Sequence, residues 1–202
     1  MRWQIGPKKT RPRTSEPAPA PSDLRILQDF LNTQPVRDQT DRLSRTRDLG
    51  DWLAGHGILP AGTELSGDDL ARARDLRAGL RAVAAASSGR AVDEATVARL
   101  GEVARYAEPR IRFDRGVGRF ETLGKTFAEA LGSLIGIVLQ AQIEGRLRRF
   151  KICDRAGCRA VYYDASKAKN GRWCTARCGD RVRAQAYRQS PKYKSRGYRG
   201  LR

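Results

Sequence analysis

Apolar residues recur along this chain mostly at helical spacing. After Ser22, Leu24, Leu27 and Leu31 share one side with Phe30 beside them, which predicts a helix that stops before Pro35. Leu43, Leu49, Trp52 and Leu53 mark a second, broken by Gly55-His56-Gly57 and Pro60. Ser66-Gly67-Asp68-Asp69 has the form of a capping box. It opens a long third helix with Leu70, Ala73, Leu76, Leu80 and Val83 on one face and Arg72, Arg74, Arg77 and Arg81 elsewhere. A fourth starts near Asp93, carries Val97, Leu100, Val103 and Ala104, and ends at Pro109. Ile111-Arg112-Phe113 and Arg119-Phe120-Glu121 alternate around Arg115-Gly116-Val117-Gly118, which reads as a β-hairpin. Phe127, Leu131, Leu134, Ile135, Val138 and Ile143 then form the most apolar helix, the expected centre of packing. It leaves the core through Arg146, Leu147, Arg148 and Arg149.

Charge divides the 202 residues differently from hydrophobicity. The net is +18, distributed as +4 over residues 1–21, −1 over 22–145 and +15 over 146–202. Solubility alone would not crowd cations into one end, so the basic end points to nucleic acid or another anionic surface. Five of nine prolines fall in residues 1–21, which read as a disordered basic tail. Residues 191–202 read as a second basic, flexible tail. No apolar leader opens the chain, and the stretch from Leu131 to Ile143 is shorter than the roughly 20 residues that span a bilayer. The expectation is therefore a cytoplasmic protein, associated with the nucleoid, with no membrane partner. The single histidine, His56, lies between two glycines with no ligand neighbour, which suits a capping or surface role.

The candidate chemistry lies in the cysteines. Cys153, Cys158, Cys174 and Cys178 are spaced C-x4-C-x15-C-x3-C. Two close pairs joined by a loop deliver four thiolates to one tetrahedral zinc. Residues 150–190 hold few large apolar groups, and segments this small rarely fold without a metal or disulfides. Two disulfides are the alternative, disfavoured in a reducing compartment. Redox catalysis lacks a C-x-x-C pair. The expectation is one structural Zn2+ on Cys153, Cys158, Cys174 and Cys178. Between the pairs, Ala160-Val161-Tyr162-Tyr163 is β-prone and Asn170-Gly171 is a turn, so a short hairpin is expected in the central gap. A helix from Gly179 to Ser190 would follow, with Val182 and Ala186 packed inward and Arg181, Ala184 and Arg188 outward, Arg183 at the boundary. That order of knuckle, hairpin, second pair and helix is a treble-clef layout.

Arg149-Phe150-Lys151-Ile152-Cys153, Tyr162-Tyr163-Asp164-Ala165-Ser166-Lys167, Arg172-Trp173-Cys174 and Cys178-Gly179-Asp180-Arg181 resemble the CGNR zinc finger. The upstream stretches Leu27-Gln28-Asp29-Phe30-Leu31-Asn32-Thr33 and Asp48-Leu49-Gly50-Asp51-Trp52-Leu53-Ala54 are similar to the ABATE domain of bacterial stress-induced transcription regulators. The last cysteine pair is one residue closer than is common in that family, and Asp180 stands where the family carries asparagine. The resemblance implies DNA-binding transcription regulation.

These readings combine into a mainly α domain with a small β-hairpin at 22–149, followed by a four-cysteine treble-clef-like zinc finger at 150–190. The expected function is duplex-DNA binding, with Lys167, Lys169, Arg172, Arg181, Arg183 and Arg188 as nucleic-acid contacts. The transcription machinery or a second copy of the chain are further candidate partners. Two rival classes stay open: an RNA- or ribosome-associated protein, which the Tyr/Arg-rich stretch 187–198 would suit, and a protein–protein adaptor with purely structural zinc. An enzyme is not expected, since no nucleophile–base pair stands out. Asp29 and Asn32 are candidates for sensing a small ligand, against the plainer reading of local hydrogen bonding.

Overall fold

Ser66, Asp93 and Thr126 each open a helix with a side-chain cap. The computed structural model describes residues 16–22, 24–34, 40–191 and 193. Most of the two expected tails, at 1–21 and 191–202, lies outside these residues. Helix α1 spans Leu24–Leu31 and α2 spans Thr46–Gly55. The long α3 (Gly67–Ala86) starts from a true capping box: Asp69 N–H donates to Ser66 Oγ, and Ser66 N–H donates to the Asp69 carboxylate. Asp93 caps α4 (Glu94–Tyr106) and Thr126 caps α5 (Phe127–Ile143). Strands β1 (Ile111–Asp114) and β2 (Val117–Phe120) form the expected antiparallel hairpin between α4 and α5. His56 closes α2, its Nδ1 2.8 Å from Trp52 O and its ring stacked on the indole.

The core gathers Leu24, Leu27, Phe30 and Leu31 of α1, Trp52 and Leu53 of α2, Leu76 and Leu80 of α3, and Leu131 and Leu134 of α5. It does not stop where the helical part ends. After a 3-10 turn at Leu147–Arg149, β3 (Phe150–Ile152) pairs antiparallel with β4 (Val161–Tyr163). Phe150, Ile152 and Val161 belong to the same buried cluster as the helices. The last helix, α6, spans Ala176–Gln189. Among the described residues the architecture is therefore mainly helical, with six α-helices, two small antiparallel hairpins and a four-cysteine cluster near the C-terminal end.

Several local expectations need correction. The hairpin expected inside the Cys158–Cys174 gap forms instead across the first cysteine pair. The Val161–Tyr163 run finds its apolar partner in Phe150–Ile152, which shares the main core. Ile143, expected in the core, is 79% exposed at the end of α5, and Val97 and Ala104 of α4 are exposed as well. Arg77 and Arg81, placed off the apolar face of α3, are buried. A helix enclosed on several sides buries more than one stripe, and its long polar side chains then need partners.

Those partners tie the chain together. Arg77 makes a bidentate pair with Asp41 at 2.6 and 2.7 Å and also donates to Thr33 Oγ1. Arg81 donates to Leu31 O and to Arg159 O, both at 2.6 Å, so one guanidinium joins α1, α3 and the segment between the first two cysteines. Burial, assisted by the neighbouring Arg159 and Arg77 charges, lowers Arg81 to about 10, which still leaves it protonated at neutral pH. Asn32 lies just beyond α1. Its carboxamide donates to Val161 O and accepts from Val161 N–H, both at 2.9 Å, extending β4 as a strand would. At the far end of α3, Ser88 Oγ accepts from Ile152 N–H, and Arg90 pairs with Asp154 at 3.2 Å.

Arg81→Met should keep the packing volume and remove both donors. The buried Leu31 carbonyl and the part-buried Arg159 carbonyl would lose these donors, at roughly 1–3 kcal/mol each. Urea unfolding at pH 7 should therefore show a loss of about 2–4 kcal/mol; wild-type stability would mean the guanidinium is not a structural joint.

Candidate metal centre and basic helix

The four cysteines arrive on different elements. Cys153 follows β3 directly, and its N–H donates to Ala160 O at 2.9 Å, which narrows the knuckle leading to Cys158. Cys174 lies just before α6, and Cys178 sits in its first turn. Thr175 caps that turn, its hydroxyl accepting from Cys178 N–H at 3.2 Å. All four thiols are buried and none forms a disulfide. Their sulfurs lie within 4.8 Å of one another, with Sγ–Sγ distances of 3.7 Å from Cys174 to Cys158 and to Cys178, and 3.8 Å from Cys178 to Cys158.

A tetrahedral zinc with Zn–S near ~2.3 Å requires sulfurs about 3.8 Å apart. The residues present therefore fit the ion on geometry as well as on ligand type. Electrostatics agree. The Cys153 thiol is pushed up to about 11, first by its contact with Cys158 and then by burial, and Cys174 is raised by Cys153, Cys158 and burial. Burial also pushes Cys178 upward, but Arg155, whose guanidinium lies 3.7 Å from its sulfur, outweighs this together with Thr175 and lowers it. Four sulfurs this close resist joint ionisation unless a cation joins them.

A second polar cluster holds the loop between the cysteine pairs. Lys151, buried on β3, pairs with Asp164 at 3.0 Å and donates to Lys169 O. Asp164 also accepts from Gly171 N–H at 2.8 Å and Ser166 N–H at 3.1 Å. Burial works against its charge, but Ser166, Lys151 and Gly171 prevail and lower Asp164 to about 2. The Tyr162 hydroxyl donates to Gly171 O at 2.6 Å. Lys167 and Lys169 are thereby set, exposed, on a loop with fixed ends.

Helix α6 differs from its expected form. It starts at Ala176 rather than Gly179, because Thr175 caps it. The advanced start adds Arg177, which the leucine-and-charge pattern did not single out; a threonine immediately after Cys174 was the available signal. Arg177, Arg181, Ala184 and Arg188 lie within about 60° at ~100° per residue, an exposed basic stripe. The inward face is much smaller than expected. Cys178 and Gly179 are buried, Val182 is half-buried and Ala186 is exposed. Arg183 leaves the stripe: it pairs with Asp180 at 2.8 Å and lies 5.7 Å from the centre of the Trp173 ring. Arg172 pairs with Asp154 at 2.9 Å and lies 5.3 Å from the same ring. Arg172 and Arg183 are thus brought together around Trp173, whereas Arg181 and Arg188 face outward with Arg177. Asp29 sits 3.8 Å from both Arg25 and His56, and Asn32 is committed to Val161.

A metal-ligating knuckle, a second thiolate pair at a helix start and a basic helix growing from the metal define a zinc-finger protein with a helical companion domain. The CGNR zinc finger model matches residues 149–190. The ABATE model, "Putative stress-induced transcription regulator", matches residues 24–143, and the chain belongs to that family. No curated protein matches the chain. Cys153, Cys158, Cys174 and Cys178 are the ligand set for one structural zinc ion.

Chelation should loosen residues 153–158 and 172–189 while β3 and β4 stay protected, because Phe150, Ile152 and Val161 are held by the main core. Hydrogen exchange with and without zinc reads this directly; loss of protection throughout β3 and β4 would contradict it. Asp164→Asn should lower the melting temperature at pH 7. A depressed carboxyl stabilises above its unfolded pKa, near ~4, and the benefit fades as pH falls toward about 2. The gap between wild type and variant should therefore close over that window; a gap unchanged by acid would contradict it.

Proposed function

We propose that this protein binds duplex DNA as a bacterial transcription regulator, using the exposed face of α6. The observation that carries the reading is the stripe of Arg177, Arg181 and Arg188 on a helix whose first turn is fixed by two cysteines of the metal centre. An exposed basic helix suits the major groove, where guanidinium groups can meet phosphates or guanine edges. Arg172 and Arg183 act mainly through Trp173 and the carboxylates Asp154 and Asp180, so they position this surface. Lys167 and Lys169 add charge from the neighbouring loop. The protein is a binding protein rather than an enzyme on this reading, with its zinc saturated by four thiolates. Its place is the cytoplasm, at the nucleoid.

One observation favours a second reading. Tyr187 and Tyr193 meet edge to face at 5.5 Å at the end of α6. Aromatic rings at a basic helix end suit stacking on unpaired bases, as an RNA- or ribosome-associated protein would need. An adaptor function would bind its partner through the helical domain and be insensitive to salt.

The triple variant Arg177→Ala, Arg181→Ala and Arg188→Ala should retain zinc, because no ligand or buried group changes. Its duplex affinity should fall, and its salt dependence should flatten by about 0.9 log unit for each phosphate that is no longer neutralised. Wild-type affinity and slope in this variant would exclude α6 as the contact surface. Tighter binding of wild type to a single strand than to the matching duplex would favour the RNA reading.

A further inference from the structure

The hairpin β1–β2 takes no part in the metal centre or in α6, yet it is mounted firmly. Gly132 and Gly136 lie one turn apart on α5, and the chain crosses directly over both. A Cβ on Gly132 would lie 2.3 Å from Glu108 O, and one on Gly136 2.7 Å from the Phe120 ring. Glu108 N–H donates to Ala128 O at 3.0 Å, and Glu121 N–H donates to Arg110 O at 2.9 Å. Arg110 pairs with Glu121 at 3.2 Å and with Glu129 at 2.7 Å. The base of the hairpin is therefore clamped to the core by backbone, charge and close packing together.

Beyond the clamp that support ends. Every residue from Ile111 to Arg119 is exposed, with Phe113 at 74%. The register places Arg112 directly across from Arg119, and Arg115 follows at the turn with φ +50° beside Gly116. Like charges directly opposed across a pair of strands are destabilising. Arg110 at the base has two carboxylates, whereas among the described residues no carboxylate pairs with Arg112, Arg115 or Arg119. A two-stranded hairpin uncovered on both faces is marginal by itself. This one is clamped from below and presents three guanidinium groups without ion-pair partners above, against the single carboxylate of Asp114.

We propose that β1–β2 is a second DNA-contacting arm, with Arg112, Arg115 and Arg119 engaging backbone phosphates of the duplex. Charge complementarity selects this partner, and a two-stranded ribbon is of a size to lie along a groove. The inference rests on the duplex-binding reading of the whole protein, but on residues separate from α6. The other occupant such a hairpin could take is a second copy of the chain, through the apolar face of Ile111 and Phe113.

The test uses the full, zinc-loaded chain and a fluorescent duplex, titrated over a series of salt concentrations. The variant Arg112→Ala, Arg115→Ala and Arg119→Ala should bind at least about tenfold more weakly near 0.1 M salt, with a slope lower by about 0.9 for each phosphate the arm neutralises. Zinc content and melting temperature should be unchanged. The corresponding triple lysine variant keeps the charge and should recover most of the affinity, which a folding defect would not. If wild type binds duplex and the alanine variant matches it in affinity and slope, the hairpin proposal is overturned while the α6 reading stands. If wild type does not bind duplex even at low salt, both are overturned. If Ile111→Ser with Phe113→Ser lowers the sedimentation mass while the arginine variant binds as wild type, the hairpin is a self-association face and the proposal fails.

Discussion

Four buried sulfurs within 4.8 Å of one another constrain the knuckle at residues 153–158 and the entry into α6. They cannot ionise together without a cation, and the segment around them lacks the apolar mass to fold by burial alone. The metal therefore supplies what the side chains do not: it closes the knuckle, joins it to the second cysteine pair and fixes the first turn of α6. That helix buries only Cys178 and Gly179, with Val182 half-covered, so little else holds its direction. Its arginines are consequently exposed by construction. A helix with a larger inward face would have less surface to offer a polyanion.

The same segment is anchored at its other end by ordinary packing. Phe150, Ile152 and Val161 extend the helical core, and Asn32, Arg81, Ser88 and Arg90 hydrogen-bond the backbone around them. Two different forces thus meet at Cys153, hydrophobic burial on one side and metal ligation on the other. The residues just past α3 connect the two: Ser88 accepts from Ile152 N–H, and Arg90 donates to Cys153 O and to the Asp154 carboxylate. A short run of hydrogen bonds therefore joins the helical domain to the first cysteine of the metal centre.

Much of this was legible in the sequence. Helix positions followed from the leucine spacing and from Ser66, Asp93 and Pro109, and the ligand set followed from four cysteines and a small apolar inventory. Features set by tertiary surroundings were less visible. Arg77 and Arg81 look like surface charges on a helical wheel, because nothing local shows that Asp41, Leu31 O and Arg159 O will face them. The pairing of β4 with β3 needed the knowledge that Phe150 joins the core. Arg177 was missed through a three-residue error in where α6 starts, although Thr175 was there to cap it. Asn32 was visible as polar, but its partner is 129 residues away.

The central claim is that the metal creates the proposed DNA-binding surface by orienting α6. It is tested most directly by adding zinc stepwise to metal-free protein and following duplex affinity alongside the helical signal. The account requires both to rise together and to saturate at one zinc per chain. Full duplex affinity in the metal-free protein, or zinc binding that restores the helix without changing affinity, would contradict it.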